Sequence, residues 1–270
     1  MNGRVLIVAG SDSGGGAGLQ ADVKTVTALG GYAATAVTAV TAQNTEGVFG
    51  IHAVPPGFVA YQLELVLDDL GADAIKTGML ATAEVIDAVV EVLARLAPDV
   101  PLVVDPVMAA KGGHALLEPA AARTLRERLV PRAMVVTPNL PEAEALTGRP
   151  VGDPAARLAA ARALLDLGPR AVLLKGGHAD GSDVVDLLVT RDGVRSFSSP
   201  RLETRHTHGT GCTLASAIAV GLAQGLALEH AVARARSYVL QALRSAPGYG
   251  RGHGPLDHGH TVRPFDGDGT

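Results

Sequence analysis

Residues 4–31 read RVLIVAGSDSGGGAGLQADVKTVTALGG, and they show the pattern that the rest of the chain repeats. Arg4 to Ala9 is a short apolar run that ends at Gly10, and Ala17 to Leu29 has helical composition and ends at two glycines. The order predicts a strand, a glycine-rich loop, a helix and a stop. The same alternation recurs along the chain.

Further β-branched runs lie at 33–42, 74–77, 102–105, 134–137 and 171–175, and segments with helical spacing lie at 58–70, 84–96, 119–129 and 154–167. Strands that alternate with helices of this length predict a mostly parallel sheet with helices on both faces. Ligands of such sheets bind beyond the carboxyl ends of the strands.

The last third of the chain changes pattern. Residues 184–190 and 194–198 flank Arg191-Asp192-Gly193, which predicts an antiparallel hairpin at one edge of the sheet. Two helices, 212–224 and 228–243, follow, and 246–270 is rich in Gly, Pro and His, which predicts an irregular tail. We predict one three-layer α/β/α domain over 1–270, since no linker divides the chain.

The composition limits the classes of function. The 270 residues carry a net charge of -4, and Lys and Arg are scattered, which argues against a nucleic-acid partner. A single cysteine cannot form an internal disulfide, and no run of 18 apolar residues or signal segment occurs, so we expect a cytoplasmic protein without membrane contact. The Ala-rich surface leaves room for a homodimer contact.

The first loop does not match the common nucleotide-binding motifs. Gly14, Gly16 and Gly18 are spaced by two residues, unlike the dinucleotide fingerprint, and no ordinary P-loop motif occurs in the chain. A better anion site is the segment 208–213, HGTGCT, which leads into an apolar helix. Glycines and a helix N-terminus present N–H groups to a phosphate, and they would favour the thiolate of Cys212.

Polar residues follow several predicted strands, and each has two readings. Gln43 either ends the second strand or reads a flat heterocycle with its amide. Asp22, on the first helix, points to solvent or into the cleft. Met79 and Val107 are core residues or apolar walls of the cleft. Asp105 ends a buried strand and needs a partner such as Lys, water or a metal.

Two further loops carry charge. Asn139 and Glu142 form a capping box at a helix start, or Glu142 lies near Mg²⁺ through water. Lys175 is a solvated side chain or a clamp on a nucleotide phosphate. The histidines near the end lack the spacing of a zinc site.

Taken together, these loops resemble the ribokinase-like superfamily, and within it the hydroxymethylpyrimidine/phosphomethylpyrimidine kinases of thiamine biosynthesis. The resemblance rests on AGSD (9–12), GGGAGLQAD (14–22), TAQNT (41–45), KTGML (76–80), DPVM (105–108), TPNLPEA (137–143), KGGH (175–178), THGTGCT (207–213) and GHGPL (252–256). The resemblance implies two MgATP-dependent transfers, first to hydroxymethylpyrimidine and then to its monophosphate.

The resemblance also implies roles for single residues. Those of the pyrimidine site would be Gly10, Asp22, Gln43, Met79 and Val107. The phosphoryl group would be held by Gly209, Thr210, Gly211 and Cys212 together with Lys175. ATP would contact Asn139, Lys175, Gly177, Thr207 and Thr213, while Asp105 and Glu142 would organise Mg²⁺.

Two alternatives stay open. Pyridoxal kinases of the same superfamily use a similar glycine turn on a flat heterocyclic alcohol, and a non-catalytic pyrimidine sensor would use the same scaffold. Many related sugar kinases place Asp at the position of Cys212, so a base role for the thiol is uncertain. A loose phosphoryl transition state needs little deprotonation of its nucleophile, and a phosphate acceptor, with a second pKa of about 6, needs none.

Overall fold

The computed structural model describes residues 1–109 and 116–263. The loop at 111–113 and the last residues of the predicted tail lie outside this range. The strands are Arg4–Ala9 (β1), Tyr32–Val37 (β2), Ala39–Gln43 (β3), Val48–Ala53 (β4), Ala74–Thr77 (β5), Leu102–Val104 (β6), Val135–Val136 (β7), Ala171–Leu174 (β8), Asp183–Thr190 (β9) and Val194–Pro200 (β10). The helices are Gly18–Ala28 (α1), Pro56–Asp69 (α2), Ala83–Leu96 (α3), Pro119–Thr124 (α4), Leu140–Thr147 (α5), Pro154–Leu165 (α6), Thr210–Ala223 (α7) and Leu228–Arg244 (α8).

Eight strands form one sheet in the order β10-β9-β8-β7-β6-β5-β1-β2. The six strands from β8 to β2 are parallel, and β9 and β10 are antiparallel to their neighbours. The predicted hairpin edge is therefore confirmed. β1 reads as an unbroken apolar run because helices cover both faces of the sheet.

Successive side chains of β1 point to opposite faces and join different cores. Leu6 and Val8 pack in a core with α2, α3, α5 and α6, whereas Val5 and Ile7 pack in a core with α1, α7 and α8. The predicted three-layer α/β/α architecture is thus confirmed. No helix in residues 1–109 and 116–263 is both long and apolar enough to cross a membrane.

The predicted second strand at 33–42 is wrong in one respect. The chain leaves the main sheet at Thr38, whose hydroxyl donates to the Met79 carbonyl, and the remaining residues form β3. β3 pairs with β4 in a separate antiparallel ribbon, across a turn in which Asn44 accepts N–H groups from Glu46 and Gly47. Gln43 therefore ends a ribbon strand instead of a strand of the main sheet.

Two other predicted segments differ in detail. The helix predicted at 119–129 is α4 followed by a π-helical turn, Leu125–Leu129, and a 3-10 turn, Val130–Arg132. The described part of the tail, residues 246–263, has no helix or strand. It is nevertheless anchored, because the His253 N–H donates to the Thr45 carbonyl at the tip of the ribbon.

Candidate active site

A cleft of about 970 Å³ opens beyond the carboxyl ends of the parallel strands. The β3–β4 ribbon is tied to its edge, because Thr41 Oγ1 donates to the Ser11 carbonyl at 2.8 Å. The predicted site residues that line the cleft are Gly10, Gln43, Met79, Asp105, Val107, Asn139, Glu142, Lys175, Gly177, Thr207, Gly209, Thr210, Gly211 and Cys212. The structure therefore brings together all the predicted site residues except Asp22 and Thr213.

The glycine turn at the start of α7 forms one wall of the cleft. Gly209 has φ +82°, and a Cβ there would overlap the Gly16 carbonyl oxygen, so this position requires glycine. The N-cap residue of α7 is Gly209, which has no side chain to cap the helix. The first N–H groups of a helix have no acceptor within it, and together with the helix dipole they favour a bound anion. This wall is suited to a phosphate group.

A lysine and two carboxylates lie beside the turn. Lys175 Nζ is 3.0 Å from Asp105 Oδ1 and 3.9 Å from Glu142 Oε2. Asp105 also accepts a hydrogen bond from Thr137 Oγ1 at 3.1 Å. Burial lowers the pKa of Lys175, but the charges of Asp105 and Glu142 outweigh burial and raise it overall. Lys175 therefore stays cationic at neutral pH, and it is the partner that Asp105 requires.

The predicted capping box is present at α5. Asn139 Oδ1 accepts from the Glu142 N–H at 2.8 Å, and Glu142 Oε2 accepts from the Asn139 N–H at 2.7 Å. The same carboxyl lines the cleft. Burial and the charge of Asp105 raise the pKa of Glu142 to about 7, although Lys175 acts in the opposite direction. Glu142 thus caps a helix and keeps a titratable group in the site.

We expect Glu142→Gln to stabilise the protein at pH 8 when nucleotide and divalent ions are absent. A carboxyl whose pKa rises from 4.5 to about 7 on folding contributes stability below pH 4.5 that is lost as the pH rises through 7. The free energy of unfolding that this carboxyl contributes should therefore differ by on the order of 3 kcal/mol between low pH and pH 8. Thermal melts of both proteins from pH 4 to 8 measure it, and a gap independent of pH would contradict it.

Asp22 was predicted to contact the substrate, and the structure corrects this. Its carboxylate is fully buried, does not line the cleft, and binds Lys76 Nζ at 2.7 Å and Ser216 Oγ at 2.7 Å. Lys76 lines the cleft instead. Burial lowers the pKa of Lys76, but Asp22, Cys212 and Asp105 together raise it, so a fully buried cation lies under the glycine turn.

Thr213 also lies behind the wall of the cleft. Its hydroxyl donates to the Gly209 carbonyl at 2.8 Å and contacts His258 Nε2 at 3.0 Å. It was predicted to bind nucleotide, but the structure shows it fixing the turn. Thr213 is buried, and its hydroxyl donates to the backbone carbonyl four residues earlier, a common bond for threonine in a helix.

Cys212 is half-buried and lines the cleft, but it is not an activated thiol. Burial raises its pKa to about 12; the positive charge of Lys76 opposes burial, and the carboxylates of Asp22 and Asp105 reinforce it. The expectation that the helix N-terminus favours a thiolate is therefore wrong. Burial is the main cause of the raised pKa, and two carboxylates that are distant in sequence add to it.

An apolar cluster and one amide also line the cleft. Met79 packs with Ala39, Ala81 and Val107 in a small cluster. A Cβ at Gly10 would lie 3.2 Å from Met79 Sδ, so this glycine allows the thioether to approach the backbone. Gln43 lines the cleft from the ribbon, and its Nε2 lies 3.4 Å from Nε2 of His208, the residue before the glycine turn. The two readings of Met79 and Val107 both hold, since they pack together and form the wall.

The sequence did not single out Asp12 and His208. Asp12 is buried and accepts N–H groups from Gly14, Gly16 and Ala17 at 2.8, 3.0 and 2.8 Å, and it lies 2.8 Å from His208 Nε2. An aspartate before glycines signals a turn, but nothing in the sequence shows that a histidine 196 positions away meets it.

Comparison with known proteins identifies the family. The phosphomethylpyrimidine kinase model matches residues 12–257. The chain is 51% identical over 255 residues to a hydroxymethylpyrimidine/phosphomethylpyrimidine kinase of Streptomyces coelicolor, covering 94% of each protein. It is 55% identical over 256 residues to the thiamine biosynthesis bifunctional protein ThiED of Geobacter sulfurreducens, covering 95% of this chain but only about half, 52%, of that longer protein.

Two solved structures have the same fold. Phosphomethylpyrimidine kinase of Clostridium difficile 630 is 41% identical with a TM-score of 0.79, covering 88% of this chain and 98% of that one. Pyridoxal kinase of Staphylococcus aureus, in complex with AMP-PCP and pyridoxal, is 33% identical with a TM-score of 0.88, covering 97% and 96%. The match of the family model over most of the chain and the high identity to a full-length relative show that this chain belongs to the phosphomethylpyrimidine kinase family.

Proposed function

We propose that this protein uses ATP to phosphorylate 4-amino-5-hydroxymethyl-2-methylpyrimidine to its monophosphate and then to its diphosphate, in thiamine biosynthesis. Family membership supports an ATP-dependent kinase. The observation that carries the proposal is a single cleft that is lined both by Gln43 and the apolar Met79 and by the anion turn and Lys175. That arrangement fits a flat polar ring whose alcohol meets a phosphate.

The proposed chemistry depends on positioning and charge. The N–H groups of Gly209 to Cys212 would bind the transferring phosphoryl group, and Lys175 would neutralise its charge. Gly177, Thr207 and Asn139 would contact the nucleotide, and they line the same cleft. The alcohol oxygen attacks the γ-phosphorus, the bond to ADP breaks, and the alcohol proton is released. Such a loose transition state is stabilised mainly by electrostatics.

Asp105 and Glu142 are suited to Mg²⁺ carried by the nucleotide. Among the described residues, no three Asp, Glu, His or Cys side chains are arranged to hold a metal by themselves. Mg²⁺ on nucleotides usually takes one or two carboxylates together with phosphates and water. The two carboxylates beside Lys175 match that donor set, and the ion would neutralise phosphate charge.

We expect Cys212→Ala to lower turnover by less than about tenfold, below the 10²–10⁴ typical of a general base. A thiol with a pKa of about 12 is protonated at neutral pH. The second transfer should suffer less than the first, because its acceptor is already ionised. Rates of mono- and diphosphate formation measure both effects. A hundredfold loss in the first step would restore the base role.

The direct experiment is product analysis with hydroxymethylpyrimidine and MgATP, resolving mono- and diphosphate over time. Steady-state kinetics with pyridoxal and with the pyrimidine, measured side by side, test the alternative that the protein is a pyridoxal kinase like the similar S. aureus enzyme. The family model and the higher identities favour the pyrimidine. An enzyme that left the pyrimidine untouched while phosphorylating pyridoxal would overturn the proposal.

A non-catalytic sensor is not favoured. A sensor that does not transfer phosphate would not need the residues of the anion site. Here all four of them line one cleft: Gly209, Gly211, Lys175 and Glu142. Tight pyrimidine binding without any ATP consumption would revive this alternative.

We also propose that 1–270 fold as one domain, supported by the sheet that extends from β1 to β10. The cytoplasmic location stays a prediction from the sequence.

We propose a homodimer through the ribbon and α2. Phe49 and Ile51 on β4, and Phe58 and Tyr61 on α2, are exposed apolar side chains close in sequence. We expect Phe49→Asp to shift the protein towards monomer in sedimentation equilibrium, whereas Val194→Asp, on the far edge of the sheet, should not. An unchanged mass for both variants would contradict this surface.

A further inference from the structure

Three polar side chains meet where the ribbon faces the glycine turn. His208 Nε2 lies 2.8 Å from Asp12 Oδ2 and 3.4 Å from Gln43 Nε2. Gln43 Oε1 lies 3.2 Å from Thr41 Oγ1. Asp12 and His208 are buried, and Gln43 is half-buried at the cleft. The function proposed above uses Gln43 only, and gives the other two no role.

The proton of His208 is fixed by Asp12. A carboxylate oxygen at 2.8 Å requires a hydrogen on His208 Nε2, because two lone pairs would otherwise face each other. Burial alone would raise the pKa of Asp12, but the hydrogen bond and charge of His208 and the N–H groups of Ala17 and Gly14 lower it overall. Asp12 is therefore an anion, and His208 Nε2 is a donor.

This assignment decides how the Gln43 amide must lie. Two groups that both bear hydrogens, His208 Nε2 and Gln43 Nε2, cannot bond to each other. The Thr41 hydroxyl already donates to the Ser11 carbonyl at 2.8 Å, so its oxygen is free to accept. A half-turn of the amide removes this conflict, because Nε2 then donates to Thr41 and Oε1 faces the His208 N–H, whose single hydrogen it shares with Asp12 as the longer, weaker acceptor.

We propose that Asp12 and His208 are positioning residues that hold the Gln43 amide with its oxygen towards His208, and that they set the orientation of the bound ring. The amide then keeps one N–H and one lone pair for the cleft. That pair complements a ring nitrogen beside an amino group, the edge of an aminopyrimidine. The inference rests on the proposed function.

The proton assignment can be tested without substrate. Long-range ¹⁵N correlation spectra of the full-length protein should show His208 as the Nε2–H form, and Asp12→Asn should weaken that preference. A dominant Nδ1–H form in the wild type would overturn the inference whatever the enzyme phosphorylates. Because this measurement needs no substrate, it can contradict the inference about His208 without contradicting the proposed function.

Kinetics test the action through Gln43. We expect His208→Leu to raise KM for the pyrimidine about tenfold to a hundredfold, as for a misplaced buried hydrogen bond, while kcat and KM for ATP change less than about threefold. His208→Gln keeps a donor near the Nε2 position and should recover most of the loss. The double variant His208→Leu, Gln43→Leu should be no worse than Gln43→Leu.

Additive losses in the double variant, or a fall in kcat with an unchanged pyrimidine KM, would overturn the inference. Either result would mean that His208 shapes the adjacent glycine turn. Wild-type turnover of the pyrimidine in the same assay shows whether the proposed function itself holds.

Discussion

Gly211→Val should lower kcat by about 10²–10³, the loss associated with removing one oxyanion donor, while the protein still folds. A Cβ at this position would lie 3.1 Å from Lys175 Nζ and 3.7 Å from Asp105 Oδ2, so the added side chain enters the space proposed for the phosphoryl group. The nearest atom is the end of a flexible side chain, which can move aside. We therefore expect Gly211→Val to lower activity strongly and to change folding stability little.

Two variants bracket this result. Gly211→Ala should cause a smaller loss, because only Lys175 has to shift. Gly152→Val is the control for added β-branched bulk, since a Cβ at Gly152 meets no atom within 4 Å. Single-turnover phosphorylation and thermal melts measure activity and folding separately. Full activity in a folded Gly211→Val protein would rule out the anion turn as the phosphoryl site.

Lys175→Met should reduce kcat/KM for ATP by about 10²–10³, because it removes the cation beside the anion turn. It also leaves Asp105 and Glu142 close together without the charge that lies 3.0 and 3.9 Å from them. The pKa of Glu142 should then rise further, because the charge of Lys175 lowers it and that of Asp105 raises it. We therefore expect the residual activity to rise with pH more steeply than in the wild type.

The control lies at the other end of the same strand. Arg170→Met removes an exposed cation immediately before β8, at the edge of the sheet away from the cleft, and should leave kcat/KM within about threefold, as is usual for surface changes. Lys175→Arg should recover part of the activity, because it restores charge but not shape. Equal activity of Lys175→Met and wild type would exclude a role for this lysine in phosphoryl transfer.

The architecture was predictable because its signals are local. Each parallel strand is a short apolar run, as in β1 and β8, and each is followed by a loop with polar residues. The ribbon was not predictable as a separate sheet. Residues 33–42 form one β-branched run, and only the pairing of β3 with β4 shows that the chain leaves the main sheet at Thr38.

The candidate site shows the same division. Loops at strand ends must converge at one edge of a parallel sheet, so the meeting of Asp105, Lys175 and Gly211 followed from the order of motifs. The facing direction of a side chain does not follow from that order. Asp22 lies on a helix whose rotation about its axis decides whether it reaches the cleft, and packing turned it towards Lys76 and Ser216.

The layers, the edge of the sheet that holds the cleft, and the glycine turn were predictable from the sequence, because periodicity and turn chemistry act over a few residues. The tertiary structure alone decided the charges. Cys212 is a neutral thiol, Glu142 titrates near 7, and Asp12 meets His208, because pKa values and hydrogen bonds depend on burial and on neighbours that are distant in sequence.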